Sequence, residues 1–113
     1  MLQILHNPRC SKSRETLQII QDSDTQVEII EYLKDVPSRA ALEEVVQKLD
    51  IKPIDLIRKG EDIYKEQFKG KTLSDSEWIE AMVANPKLIE RPIVIKGDKA
   101  VIGRPPETVK SLL

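Results

Sequence analysis

The one cysteine of the chain, Cys10, stands in a polar and cationic run, His6-Asn7-Pro8-Arg9-Cys10-Ser11-Lys12-Ser13-Arg14. A thiol attacks as its thiolate, which is favoured by nearby cations and by the unpaired, partly positive N–H groups at a helix start. The same N–H groups bind phosphate-like oxyanions. Arg9, Lys12 and Arg14 supply positive charge near the sulfur, and Ser13, three residues on, is placed to donate a hydrogen bond to it. His6, the sole histidine, is a candidate to orient or desolvate the thiolate; the alternative is a loop histidine that bonds locally. A lone cysteine is otherwise a small buried hydrophobe, but these neighbours are polar company for a core residue. The chemistry they suggest is nucleophilic attack on a small oxyanion.

The elements that must position this run are legible around it. Leu2-Gln3-Ile4-Leu5 reads as a short buried strand that stops at the proline-containing loop. A helix starts at Ser11, with Leu17 and Ile20 three apart, and ends near Asp22-Ser23-Asp24. Val27 to Tyr32 reads as a second strand, so the first third is β-loop-α-β, a right-handed parallel crossover. Pro37-Ser38 opens a helix with Leu42, Val45, Val46 and Leu49 on one face. Pro53 starts a short helix, and Ser74 with Glu77 forms a capping box ahead of Trp78, Ile79, Met82 and Val83. Ile93-Val94-Ile95 and Ala100-Val101-Ile102 form a hairpin turning on Gly97, and Pro105-Pro106-Glu107 begins a last short helix. The order predicts an α/β fold, a small mixed sheet flanked by helices, with one domain over residues 1–113.

Composition narrows the function classes. Lys and Arg total 18 against 19 Asp and Glu in 113 residues, a balance that argues against broad binding to nucleic acid or anionic membrane. No apolar run is long enough to span a bilayer, and the first residues lack the basic and apolar regions of a signal peptide. With one cysteine and one histidine there is no set of ligands for a structural metal, and no internal disulfide. These features suit a reducing, cytoplasmic setting.

The run from His6 to Arg14 closely resembles the active-site loop of the glutaredoxin-coupled arsenate reductase family. Leu56-Ile57-Arg58-Lys59, Glu90-Arg91-Pro92-Ile93-Val94 and Gly103-Arg104-Pro105-Pro106-Glu107 look like that family's three substrate-arginine segments, in order along nearly the whole chain. The resemblance implies a thioredoxin-like (glutaredoxin-like) fold with an inserted helical region, in the family's short, domain-only branch. It also implies Cys10 as the nucleophile and Arg58, Arg91 and Arg104 as planar, always-charged donors to arsenate. Pro92 would follow a cis peptide bond. Cys10 would attack arsenic and displace water, glutathione as co-substrate would join the arsenic, and glutaredoxin would resolve the adduct as arsenite leaves. No bound cofactor is implied. A single cysteine fits this scheme, because the resolving thiols come from other molecules.

Two other readings stay open. Relatives of the family include regulators that bind RNA polymerase, many through a Cys-x-x-Cys switch; Ser13 stands where the second cysteine would be. A glutathione-dependent enzyme with another substrate also fits the fold. A phosphatase loop does not, since it needs five residues between cysteine and arginine and Cys10 to Arg14 leaves three.

Overall fold

In the computed structural model, which describes residues 2–113, β1 (Leu2–Leu5) is an inner strand of a four-stranded sheet ordered β2-β1-β3-β4. It runs parallel to β2 (Val27–Ile30) and antiparallel to β3 (Ile93–Lys96), with Ile4 opposite Ile29 on one side and Val94 on the other. A strand paired on both edges has most of its surface covered, which is why Leu2, Ile4 and Leu5 are all buried. β3 turns back into β4 (Lys99–Ile102) through Gly97, whose φ of 60° lies in the left-handed region open to a residue without Cβ.

The parallel pairing of β1 and β2 requires a crossover, and α1 (Ser11–Asp22) supplies it. One face of the sheet buries Leu2, Ile4 and Val94 against Ile20 of α1 and against Val109 and Leu112 of the closing 3-10 helix, Pro106–Leu112. The inward residues of α1 are Ser13, Thr16 and Ile20, spaced three and four apart. Ile20 belongs to the core, while Ser13 and Thr16 bring polar groups to the helix end that follows Cys10.

The chain divides into two compact units. One runs from the N-terminus through Asp35 and resumes over Arg91–Leu113; the other, Val36–Glu90, is inserted between them. The inserted unit holds α2 (Arg39–Leu49), a 3-10 turn at Pro53–Leu56, α3 (Asp62–Gln67), α4 (Asp75–Ala84) and a 3-10 turn at Pro86–Leu88. Ser38 caps α2 by accepting the Ala41 N–H, and Ser74 and Glu77 form the predicted capping box on α4. Leu42, Val45 and Val46 of α2 are buried, as are Trp78, Ile79 and Met82 of α4, which packs against α2. Trp78 also stacks on Tyr64 and meets Phe68.

Three elements differ from expectation. β2 stops at Ile30, because the Glu31 carbonyl accepts the N–H groups of Lys34 and Asp35 and turns the chain; Tyr32 is buried from that turn. The last helix is 3-10, starts at Pro106 and is capped by Pro105. α3 has six residues, none buried, too few for an apolar period to mark it. No helix among the described residues is long and apolar enough to cross a membrane.

Candidate active site around Cys10

Cys10 is the N-cap of α1, in extended conformation, with its carbonyl accepting the Arg14 N–H at 3.0 Å. Its own N–H donates to the Asn7 carbonyl at 3.0 Å, and the Arg9 N–H donates to Asn7 Oδ1 at 3.0 Å. Asn7 therefore braces the loop from inside, the local bonding that suits this residue to turns. The sulfur sits where the first turn of α1 leaves backbone N–H groups without partners inside the helix, and only 8% of Cys10 is exposed.

His6 and Ser13 anchor the other side of the loop. The His6 N–H donates to the Ile30 carbonyl of β2 at 2.8 Å, which ties the loop to the sheet. Its Nδ1 shares a 2.6 Å hydrogen bond with the buried Ser13 hydroxyl, and Ser13 Oγ also accepts the Asn7 N–H at 3.0 Å. Burial, aided by the charge of Arg14 and opposed by Glu31, holds the imidazole below its ordinary pKa of 6.5. His6 is therefore neutral near pH 7. The Ser13 hydroxyl, expected to donate to the sulfur, is committed instead to His6 and Asn7, so its part in the site is to hold the loop. Arg14 likewise reaches back over the loop and donates from Nη1 to the Pro8 carbonyl at 2.9 Å.

The cation beside the sulfur comes from the far end of the chain. Arg104 Nη2 lies 3.7 Å from Cys10 Sγ, while its Nε donates to the Arg91 carbonyl at 2.8 Å. A guanidinium has five donors in a rigid plane, so fixing Nε on Arg91 fixes the direction of the rest. Arg91 thus acts through its backbone as the rest for Arg104, and two nitrogens of its own guanidinium, Nε and Nη1, are buried. The Arg91–Pro92 peptide is cis, as the resemblance implied, and the Pro92 carbonyl accepts the Gly103 N–H at 2.9 Å. The Arg104–Pro105 peptide is cis as well, which the sequence reading missed.

Cys10, His6, Ser13, Arg14, Arg91, Pro92 and Arg104 all belong to the first unit. Arg58 belongs to the inserted unit, where its backbone N–H donates to the Leu88 carbonyl at 2.7 Å. Its guanidinium pairs with Glu61 at 2.9 Å and Glu90 at 3.7 Å. Sequence reasoning also passed over Asn7 as the brace of the loop. The signal for it was present, since an Asn two residues before the arginine of a tight loop is a common way to bond the backbone locally.

The arrangement presents a nearly enclosed sulfur at a helix start, with a guanidinium beside it. Known proteins share both sequence and shape. Residues 5–112 match the ArsC family. A protein of Escherichia coli strain K12 described only as uncharacterized is 44% identical over 99% of this chain and 96% of its own length. A protein of Haemophilus influenzae named arsenate reductase is 44% identical over 97% of both chains. The solved structure titled arsenate reductase from Vibrio cholerae superposes with a TM-score of 0.94 at 42% identity, covering 99% of this chain and 97% of that one. Agreement over nearly the full length, in sequence and in a thioredoxin-like arrangement of strands and helices, makes this chain a member of the ArsC family.

Proposed function

We propose that the protein reduces arsenate to arsenite, with Cys10 as nucleophile and with glutathione and glutaredoxin as the source of electrons. The observation that carries this reading is the 3.7 Å approach of Arg104 Nη2 to Cys10 Sγ, which pairs a nucleophile with an anion-binding fork. The names of the relatives support arsenate as the oxyanion.

The Cys10 thiolate attacks arsenic(V), an S–As bond forms, and an oxygen leaves as water after protonation. Arg104 and Arg91, both of the first unit, neutralise the arsenate oxygens. The thiolate of glutathione displaces a second oxygen as water and leaves arsenic bonded to two sulfurs. The glutaredoxin thiolate then attacks the glutathione sulfur. The new S–S bond forms, the glutathione S–As bond breaks, and its electron pair stays on arsenic, which becomes arsenic(III). Water hydrolyses the remaining Cys10–arsenic bond, releasing arsenite and the free thiol. Cys10 is never oxidised in this sequence, which suits a chain with one cysteine and a reducing cytoplasm. Glutathione is a co-substrate, and no resident cofactor takes part.

The test is chromatographic conversion of arsenate to arsenite, with glutathione and glutaredoxin omitted in turn. Conversion that needs both supports the proposal. Conversion sustained equally by an unrelated dithiol protein in place of both overturns the coupling.

A further inference from the structure

Gly103 stands immediately before Arg104 and is buried. A Cβ at this position would come within 2.5 Å of Thr16 Oγ1, 3.1 Å of Thr16 Cγ2 and 2.8 Å of Pro92 Cγ. The contacts at 2.5 and 2.8 Å are shorter than real Cβ atoms make, and neither obstacle moves easily. Thr16 is fully buried with its hydroxyl donating to the Lys12 carbonyl at 2.8 Å, and Pro92 is a buried ring. The Gly103 N–H is itself tied to the Pro92 carbonyl at 2.9 Å.

Thr16 lies on α1, the helix that Cys10 caps. The backbone of Gly103 therefore rests directly on the element that carries the nucleophile, one residue before the arginine that reaches it. We propose that Gly103 is a positioning residue for Arg104: its missing side chain sets the height of the Gly103–Arg104 backbone above α1, and so the approach of Arg104 Nη2 to Cys10 Sγ. A methyl group here lifts the segment off Thr16 and Pro92 and withdraws the guanidinium, with Arg104 itself unchanged. Its consequence for turnover rests on the arsenate reading; the contact with sulfur does not.

The experiment reads the sulfur directly, by the rate at which iodoacetamide alkylates Cys10 at pH 7 in the folded protein. A nearby guanidinium stabilises the attacking thiolate, so Arg104→Ala slows alkylation by about fivefold, the effect of roughly 1 kcal/mol. Gly103→Ala slows it to a similar degree, and the double variant is no slower than Arg104→Ala alone, because both remove one interaction. Thr16→Ala combined with Gly103→Ala recovers part of the rate, since it clears the two threonine contacts. An unchanged rate in Gly103→Ala overturns the proposal. So does a double variant whose loss equals the product of the two single losses, which is the behaviour of a general structural defect. Should Gly103→Ala fail to fold, the same comparison is made with and without Arg104→Ala in the Thr16→Ala, Gly103→Ala background, with the same two outcomes. Arsenate turnover, measured separately, fails by itself if the arsenate reading is wrong and leaves the alkylation result standing.

Discussion

Arg104 Nη2 lies 3.7 Å from Cys10 Sγ, across 94 residues of chain. The contact joins the loop after β1 to the loop after β4. The guanidinium is steered by its second bond, from Nε to the Arg91 carbonyl. Arg104→Ala is expected to lower kcat/KM for arsenate by about 10- to 100-fold, the cost of a charge-assisted bond of about 1.5–3 kcal/mol. Because the side chain is exposed, urea unfolding should move by less than about 0.5 kcal/mol. Arg104→Lys keeps the charge but cannot hold both partners through one plane, and should recover only part of the loss. Steady-state kinetics and urea titration of the two variants check this.

The Ser13 hydroxyl has the opposite profile. It is fully buried and serves both His6 Nδ1 and the Asn7 N–H. Ser13→Ala strands the buried His6 Nδ1 and the part-buried Asn7 N–H, and should cost about 1–3 kcal/mol of stability in urea unfolding. Activity should fall with it, since the loop bearing Cys10 loses its brace. A variant as stable as the parent would show that the bond is not holding the loop.

His6 gives the stability a pH dependence of known sign. Its pKa is below 6.5 in the folded chain because of burial, and returns to about 6.5 on unfolding. As pH falls below 6.5, the unfolded chain takes up a proton that the folded chain refuses, so stability drops until the folded pKa is reached; above 6.5 the contribution is complete and flat. Urea midpoints of the parent and of His6→Asn, compared from pH 7.5 down to pH 5, should converge as pH falls. Parallel curves would contradict a buried neutral His6.

In the inserted unit, the Ser74–Glu77 capping box satisfies donors at the start of α4, and the bond to the Ser74 N–H holds the Glu77 carboxyl below its usual range. Ser74→Ala should destabilise the protein by about 1 kcal/mol while leaving the alkylation rate of Cys10 unchanged. Thermal or urea unfolding beside the alkylation assay separates the two.

Local signals made much of this legible. The capping box, the turn at Gly97, the strand Leu2–Leu5 and the start of α1 after Cys10 all follow from short-range chemistry, and the structure has each of them. The importance of Arg91 and Arg104 came from resemblance, because nothing in the periodicity separates them from surface arginines. Their geometry was out of reach: that Arg91 contributes its carbonyl to Arg104, and that Gly103 is pressed against Thr16, depend on contacts between distant segments. Ser13 shows a subtler limit. Three residues from Cys10, it was placed to serve the sulfur, but on a helix that spacing turns it inward, toward His6. α3 was invisible because six residues, none of them buried, carry no apolar period.

The most direct test follows NADPH oxidation through glutathione reductase, with glutathione, glutaredoxin and this protein present, as arsenate is added. An arsenate-dependent rate that vanishes in Cys10→Ser is the predicted result. A rate no greater than that of Cys10→Ser would contradict arsenate reduction by this thiol.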